Sequence, residues 1–420
     1  MANSNYNRTI FSWSMYDFAN QPFTTLIVTF IYSTFFTKVI AENEIIGTAL
    51  WSKGITITAL FVALMSPIMG ALADRGGYRK IFLVFWTWVC ILATFGLYYP
   101  LPGQVVLALT FFVIANVGFE MAGVFCNAYL PDIAPKEKIG RISGYGWSFG
   151  YVGGLLALGI CFILFVQAEV PAFGFGKELG ENIRATNLFI AIWFAIFSIP
   201  TFLFVKDSKS SKPIDRSVIV DSFHQILSTF SEIKTYKQMT RFLLARLLYN
   251  DGLITIFAFG GIYASGTFGF TFNEIFLFGI ILNITAGLGA FLLGFLDDIL
   301  GGKTTIQISN IGLIVACLLA VTTHDKNIFW LSGVLIGIFA GPNQAASRSL
   351  MARFIPKEKE SEFFGFFAFS GKATAFVGPL LLGVLTEYFQ SQRAGIAVVI
   401  ILIGLGFILL SKVDEQQAIK

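Results

Sequence analysis

The sequence predicts an all-α membrane protein in which twelve transmembrane helices form two pseudo-symmetric six-helix bundles. Three observations lead to this fold class: the composition, the lengths of the apolar segments and an internal repeat. Of the 420 residues, 55% are hydrophobic, only 13% are charged and 47 are Phe. Soluble chains carry about 25% charged residues, so the composition excludes a soluble globular protein and favours helices packed within lipid.

Twelve apolar segments have about the length that a helix needs to cross a bilayer, which is roughly 20 residues. They lie at 13–37, 51–73, 81–99, 104–130, 142–166, 186–205, 241–264, 272–296, 304–322, 327–352, 364–388 and 394–411. The longest polar segment, 206–240, has helical periodicity at 218–236 and is predicted to lie along the membrane surface. We therefore predict an N-terminal bundle at 1–205, a cytoplasmic linker at 206–240 and a C-terminal bundle at 241–420.

An internal repeat relates the two halves. Residues 70–80 read GALADRGGYRK after the second apolar segment, and residues 294–303 read GFLDDILGGK after the eighth. The tetrapeptide PKEK at 135–138 recurs at 356–359. Two echoes at nearly the same spacing indicate a duplicated chain. The first echo aligns Gly70 with Gly294, Asp74 with Asp298, Gly77 with Gly301 and Arg79 with Lys303.

The loop at 70–80 is predicted to be a tight hairpin between two spanning helices, with Gly76 and Gly77 giving the turn its backbone freedom. The pattern Gly-x-x-x-Asp-Arg-x-Gly-x-Arg-Lys resembles the loop signature of the major facilitator superfamily, and the resemblance implies a cytoplasmic gate. In the second copy Ile299 replaces Arg75, which predicts a weaker gate there. The alternative is a hairpin that is basic only because of membrane orientation. The predicted gate residues are Gly70, Asp74, Arg75, Gly77, Arg79, Asp132 and Arg141, the last two being the expected partners of the Asp74 loop.

The distribution of positive charge predicts the orientation. Most of the 29 Lys and Arg residues fall in loops on the side of both termini, so we expect both termini to be cytoplasmic in a multi-pass protein, most simply of a bacterial inner membrane. The N-terminus lacks a cleavable signal pattern, so the first helix is expected to be retained. Because the basic residues are dispersed, we expect no nucleic-acid partner. We expect a monomer in the lipid bilayer.

Of the ionisable residues inside apolar segments, six are the most noteworthy candidates for the membrane interior: three are acidic (Asp17, Glu120 and Asp251) and three are basic (Arg246, Arg348 and Lys372). A charge at the bilayer centre costs about 2.5–3.5 kcal/mol on insertion scales, so such groups usually face a cavity or a partner. The balance of signs predicts a polar cavity between the helices.

Helical spacing refines this prediction in the fourth segment. Asn116, Glu120 and Asn127 share one face, which is typical of a cavity lining. The alternative is that these side chains only hydrogen-bond neighbouring helices together.

The first segments of the two halves carry similar polar groups. In the first, Tyr16 and Asn20 share a face with Asp17 beside them, and Pro22 is predicted to bend the helix. In the seventh, Arg246 precedes Asn250 and Asp251. Asp17 could instead be an interfacial cap.

Two later segments are predicted to be discontinuous. Gly341-Pro342 is predicted to break the tenth, in which Gln344 and Arg348 share a face, and Lys372 precedes Gly378-Pro379 in the eleventh. Broken helices expose backbone groups to substrate in many transporters. Arg348 could instead extend to the cytoplasmic interface. The predicted substrate or proton pathway comprises Tyr16, Asp17, Asn20, Asn116, Glu120, Asn127, Arg246, Asn250, Asp251, Gln344, Arg348 and Lys372.

Four stretches resemble one branch of the superfamily, the vacuole effluxer-like family related to autophagy-linked amino-acid exporters. They are WSMYDFAN at 13–20, NAYLPDI at 127–133, RISGYGW at 141–147 and YNDG at 249–252. The resemblance implies a twelve-helix facilitator, with amino-acid efflux attributed to the eukaryotic members. The superfamily's Gly-Pro-x-x-Gly-Gly antiporter pattern appears as FGYVGG at 149–154, without proline, which weakens any expectation of drug/proton antiport.

The predicted function is secondary transport of a small solute by alternating access, with an amino acid or similar zwitterion as substrate because the cavity carries both signs of charge. Asp251 or Glu120 is the predicted proton carrier, since a desolvated carboxylate can hold a proton near neutral pH. No ATP-binding Gly-x-x-x-x-Gly-Lys-[Ser/Thr] loop occurs, no catalytic constellation indicates an enzyme, and no metal or other cofactor is expected. The alternative is a membrane sensor or scaffold that retains the fold without transporting.

Overall fold

The computed structural model describes residues 2–207, 228 and 236–416, and within these ranges it contains helices and no β-strand. Twelve helical segments among the described residues are long and apolar enough to cross a membrane. The predicted fold class, an all-helical protein with twelve spans, is thereby confirmed. The predicted linker helix at 218–236 lies outside the described residues except at positions 228 and 236.

Six long helices make up the half of the chain before residue 207, which we call the N-terminal half. They are α1 (Ala2–Pro22), α2 (Glu44–Gly76), α3 (Arg79–Gly96), α4 (Val105–Asn127), α5 (Ile139–Cys161) and α6 (Glu181–Phe204). The regular α-helix of the first span ends at Pro22, as expected for a residue that cannot donate a backbone hydrogen bond. The span continues as wider π-helical turns at Phe23–Phe30 and Phe36–Ile40.

The C-terminal half, from residue 236, has seven long helices because one span is broken. They are α7 (Lys237–Phe268), α8 (Phe272–Leu300), α9 (Gly302–Thr322), α10 (Lys326–Phe354), α11 (Glu360–Lys372), α12 (Val377–Phe389) and α13 (Gln392–Ser411). The eleventh span consists of α11 and α12, separated by a short turn.

The predicted break at Gly341-Pro342 is wrong, because α10 runs through both residues. A proline removes one backbone hydrogen bond, and packing compensates here. Gly341 lies so close to α8 that a Cβ atom on it would be 2.1 Å from the carbonyl oxygen of Ala286. Both Gly341 and Pro342 are buried, so the close contact with α8 supports the helix at the point where proline weakens it.

The halves meet along two helix pairs, α2 with α11 and α5 with α8. Glycines allow both approaches: Cβ atoms on Gly70 and Gly144 would lie 2.3 Å and 2.5 Å from backbone oxygens of the opposite half. The helix ends at 74–80, 132–141, 297–303 and 353–362 come together at one end of the bundle. We call this the charged end, because it holds a network of buried ion pairs.

Candidate functional site

The loop carrying Asp74 caps a helix of the opposite half. The Asp74 carboxylate accepts hydrogen bonds from the backbone N–H groups of Ser361 at 3.0 Å and Glu362 at 2.8 Å, in the first turn of α11. A carboxylate at this position satisfies free N–H groups and complements the helix dipole. Gly77, with φ of 69°, ends α2 in the left-handed conformation that glycine favours and so sets the turn.

Asp298 does the same in the reverse direction. It accepts from the backbone N–H groups of Gly140 at 2.8 Å and Arg141 at 3.2 Å, at the start of α5, and also from Arg141 Nε. Each half therefore caps a helix of the other. Despite Ile299 in place of Arg75, Asp298 accepts from two backbone N–H groups of the opposite half, and the weaker second gate stays a prediction. Arg141 binds Asp298 rather than the Asp74 loop, because α5 begins directly beneath α8.

Arg79 connects the first cap to its surroundings. Its guanidinium donates to Asp132 Oδ2 at 2.6 Å and to Glu360 Oε2 at 2.9 Å, and it lies 3.7 Å from Asp74. One of these acceptors belongs to each half, so Arg79 joins them. The predicted partnership of Arg79 with Asp132 is present in the structure. Arg75, in contrast, has an exposed side chain.

The second half has a different ion pair at the corresponding place. Arg353 Nη1 donates to Asp297 Oδ1 at 2.5 Å and lies 3.4 Å from Glu415, and Asp297 also accepts from the Ser349 hydroxyl. By the PKEK alignment Arg353 occupies the position of Asp132. Asp132 and Arg353 thus have equivalent positions and opposite charges, whereas their partners Arg79 and Asp297 stand at positions that do not correspond.

Two further caps fasten the chain where it leaves each half. After α6, Asp207 accepts from Lys80 N at 3.2 Å, and Lys80 Nζ donates to the carbonyl of Val205 at 2.9 Å. After α13 the same arrangement recurs, with Lys303 N bonded to Glu415 at 3.0 Å and Lys303 Nζ to the carbonyl of Val413.

These contacts correct the predicted alignment of Arg79 with Lys303. Lys303 makes the contacts of Lys80, so the two loops differ in length by one residue after the aspartate.

Deeper between the halves, Arg348 joins α10 to the N-terminal half. Its guanidinium donates to Asp17 Oδ2 at 2.8 Å, to Asn127 Oδ1 at 3.2 Å, and to the hydroxyl and carbonyl oxygens of Ser143 at 2.9 and 2.7 Å. Arg348 is only 4% exposed. The structure therefore favours neither the interfacial cap for Asp17 nor the extension of Arg348 to the interface, because each neutralises the other within the protein.

Two tryptophan rings complete the Arg348 environment. Its Cζ lies 4.7 Å from the centroid of the Trp13 ring and 5.7 Å from that of Trp147. Aromatic faces stabilise a desolvated cation, so both tryptophans help to accommodate the buried guanidinium group.

The second ion pair between the halves is more accessible. Lys372 Nζ, at the end of α11, donates to Glu120 Oε1 on α4 at 2.6 Å. The side chains of Lys372 and Glu120 are 28% and 21% exposed, whereas that of Arg348 is 4% exposed. Lys372 lies about 18 Å along the helix axis from the start of α11 at Glu360, and Arg348 about 9 Å from the end of α10. The Glu120–Lys372 pair is thus near mid-depth in a hydrocarbon core of about 30 Å.

Three predicted residues of α7 surround the break in the eleventh span. Arg246 Nη1 donates to the carbonyl of Phe367 at 2.6 Å, and Asn250 Nδ2 donates to that of Gly371 at 3.2 Å, both in α11. Asp251 Oδ2 accepts from Gly378 N at 3.1 Å, in the first turn of α12. The hydrogen bonds of these three residues therefore hold a discontinuous helix of their own, C-terminal half.

The remaining predicted pathway residues differ in position. Tyr16 is fully buried, and its hydroxyl is 2.6 Å from that of Thr87 on α3, so it belongs to the core of the N-terminal half. The structure thus places Tyr16 away from the contact between the halves, and its part in the pathway stays a prediction. Asn20 and Asn116 are also buried, and Gln344 is half-buried on α10.

Several contributors to the site were missed by the sequence analysis, namely Trp13, Ser143, Trp147, Asp207, Asp297, Glu360, Ser361, Glu362 and Glu415. The repeat could have found two of them. The PKEK alignment pairs Gly140 and Arg141 with Ser361 and Glu362. The residues that Asp298 caps therefore identify the residues that Asp74 caps. Among the described residues, no cluster of three His, Cys, Asp or Glu side chains could hold a metal ion.

Comparison with known proteins identifies the relatives of this chain. A family model described as vacuole effluxer Atg22 like matches residues 47–420. The chain is 28% identical over 413 residues to the uncharacterised MFS-type transporter YxiO of Bacillus subtilis (strain 168), covering 97% of this chain and 95% of that protein. It is 22% identical over 455 residues to autophagy-related protein 22 of Yarrowia lipolytica, covering 87% and 75%.

Solved structures of low identity share the fold. The proton:xylose symporter XylE, a major facilitator superfamily protein, superposes with a TM-score of 0.74 at 14% identity, over 98% of this chain and 96% of that one. The human organic anion transporter MFSD10 gives a TM-score of 0.71 at 15% identity, over 96% and 99%. These likenesses confirm the major facilitator fold.

Proposed function

The chain belongs to the vacuole effluxer Atg22-like family of MFS-type transporters, and on that premise we propose that it moves a small zwitterion, most simply an amino acid, by alternating access. In this proposal the halves at 1–205 and 241–420 rock as two bundles about a site between them, while 206–240 connects them. The efflux role in the family's description and the amino-acid efflux attributed to its eukaryotic members support the substrate class. Proton coupling is part of the proposal.

The observation that carries the proposal is the Glu120–Lys372 ion pair. It joins the halves near mid-depth, and both side chains retain partial exposure. A zwitterion offers a carboxylate to Lys372 and an ammonium group to Glu120, so it can replace this pair charge for charge. Lys372 then compensates the desolvation of the substrate carboxylate, and Glu120 compensates that of its ammonium group. A solute with a single charge would leave one of these two protein groups unpaired.

The caps at the charged end support the conformational part of the proposal. Asp74 and Asp298 hold the halves together there, so the described structure is closed at that end. We propose that the charged end is cytoplasmic, since most Lys and Arg residues lie in the loops on that side. The structure would then represent the state closed to the cytoplasm.

Counterflow in proteoliposomes tests the substrate site. Wild-type protein is screened against a panel of labelled amino acids, each compared with its decarboxylated amine and its deaminated acid. We expect exchange of a zwitterion, with Lys372→Met and Glu120→Gln each reducing it at least tenfold. Lys372→Met should lose discrimination against the amine, and Glu120→Gln against the acid, because each removes the partner of one substrate charge.

The ion pair of Lys326 with Glu274 provides the matched control, since its N–O distance is also 2.6 Å but it lies at the other end and is more exposed. Lys326→Met should leave exchange near wild type. Equal losses in Lys326→Met and Lys372→Met would point to general damage. Absence of exchange for every panel member, in vesicles that contain folded protein, would instead favour a sensor or scaffold.

A further inference from the structure

The break in the eleventh span is held from both sides by α7. Arg246 and Asn250 bind carbonyl oxygens of the last turns of α11, and Asp251 binds the first turn of α12 through Gly378 N. The bonds to Gly371 O and Gly378 N occupy backbone groups that the break leaves without helical partners, and the bond from Arg246 reaches the carbonyl of Phe367 one turn before the end of α11. Side chains of α7 therefore link the end of α11 to the start of α12, while the rest of α12 packs against α13, where a Cβ atom on Gly395 would lie 2.8 Å from the carbonyl oxygen of Leu382.

The Nε atom of Arg246 at the break is buried without a hydrogen-bond partner among the described residues, and the bonding of the acidic group there, Asp251, is also incomplete. Asp251 is 2% exposed, its Oδ2 has a single backbone donor, and its Oδ1 is buried without a hydrogen-bond partner among the described residues. By contrast, Asp17, Asp297 and Asp298 each bind an arginine. An ionised carboxylate in such a place is costly unless it is paired or neutralised.

The charged and titratable groups around Asp251 bind elsewhere. On its own helix, Arg246 Nη1 binds Phe367 and Ser370, and the Tyr249 hydroxyl contacts Ser347. On α11, Lys372 binds Glu120. The first turn of α12 contains no ionisable residue, and α13 presents Val399 and Ile403 to the neighbouring Gly252. Among the described residues, none of these charged groups forms a hydrogen bond or an ion pair with the Asp251 carboxylate, which binds only Gly378 N.

Close packing fixes the carboxylate against α12. A Cβ atom on Gly378 would lie 2.2 Å from Thr255 Oγ1 and 3.1 Å from Asp251 Oδ1, so only glycine lets the helix start so near. A small rotation of α12 would consequently change the Asp251 contact directly.

We propose that Asp251 is the proton-binding site of the transporter and that its proton sets the angle between α11 and α12. The role given to this proton rests on the proposed transport function, but the experiment below does not require transport. A neutral carboxylic acid accepts a weaker hydrogen bond than a carboxylate and no longer complements the helix dipole. Protonation therefore loosens α12, and loss of the proton draws Gly378 back. Glu120, the other predicted proton carrier, is bonded to Lys372 and is assigned to substrate binding instead.

The test measures the position of α12 without any substrate. Spin labels are attached to Tyr388→Cys on α12 and Leu331→Cys on α10, both exposed, in full-length protein lacking the four native cysteines. We expect the distance distribution between the labels to change with pH in otherwise wild-type protein. Asp251→Asn should hold the low-pH distribution at every pH, whereas Glu120→Gln should retain the pH response.

A distance that does not respond to pH in the wild-type background would overturn the proposal, and so would a response that survives in Asp251→Asn. If Asp251→Asn does not fold, Asp251→Glu serves instead, because it keeps a titrating carboxyl at an altered distance from Gly378. The midpoint pH of the response should then shift, and an unshifted midpoint counts equally against the proposal. A response that requires Na⁺ rather than H⁺ would also contradict it. Because the distance measurement uses no substrate, its result can be interpreted even if the counterflow assay detects no exchange.

Discussion

Arg348 shows how a single buried charge is made tolerable at the boundary between the halves. Asp17 neutralises it, Ser143 and Asn127 occupy its remaining N–H groups, and two tryptophans cover its faces. Removing one partner of such a pair leaves the other desolvated, which costs about 3–5 kcal/mol, whereas exposed pairs contribute about 0–1 kcal/mol.

We therefore expect Arg348→Met to destabilise the purified protein strongly and Lys372→Met only slightly. Thermal unfolding in detergent measures the difference, with a much larger fall in midpoint for Arg348→Met. The double variant Asp17→Leu/Arg348→Met removes both charges and should recover much of the loss. Equal destabilisation by the two single variants, or no recovery in the double variant, would show that burial of the Asp17–Arg348 pair is not what matters.

The sequence could identify the ionisable residues of the membrane segments, but not their pairing. Balanced signs predicted a shared cavity. The structure pairs Asp17 with Arg348 and Glu120 with Lys372, and the cavity itself stays a prediction. Asp251 and Arg246 have the same sequence character yet bind backbone groups of their own half. Partner choice depends on which helices are neighbours, and that is a property of the whole fold.

At the scale of helices, the contact between α2 and α11 depends on the absence of side chains. A Cβ atom on Gly365 would lie 2.4 Å from the carbonyl oxygen of Ser66, whose hydroxyl in turn donates to the Gly365 carbonyl at 3.0 Å. Real Cβ atoms do not approach backbone that closely, so an alanine must push the helices apart.

We expect Gly365→Ala to disfavour closure at the charged end. Labelling of a Ser66→Cys reporter by a small polar thiol reagent should accelerate several-fold, because Ser66 is fully buried when the helices touch. Gly404→Ala is the matched control, since a Cβ atom there meets nothing within 4 Å. Unchanged labelling in Gly365→Ala, or the same acceleration in Gly404→Ala, would refute the steric argument.

The twelve spans were predictable because a bilayer imposes length and apolarity on each helix. It was harder to predict where a span is interrupted. Gly341-Pro342 reads as a break, but α8 supports α10 there, whereas the break after Lys372 is stabilised by the polar side chains of α7. The local sequence predicts a helix break at both places. Whether a break forms depends on the neighbouring helix that packs there.

At the scale of the whole molecule, the repeat has a mechanical meaning. Asp74 of the N-terminal half caps α11, and Asp298 of the C-terminal half caps α5, at positions that the PKEK alignment makes equivalent. If each half moves as a rigid body, opening the charged end must break both caps in one motion. If the halves are flexible, either cap can open by itself.

The two cases differ in how Asp74→Asn and Asp298→Asn combine. We expect each variant to favour the open charged end, by about tenfold for each 1.4 kcal/mol of cap energy lost. Reporters are Ser66→Cys beside the first cap and Ala290→Cys beside the second, both buried. In a rigid-body motion either variant accelerates labelling at both reporters, and the double variant multiplies the two effects, because independent contributions to one equilibrium add as free energies. Local opening would instead make each reporter respond only to its own cap. That result would leave the caps as separate latches and remove the single rocking motion from the proposal, even if transport itself were observed.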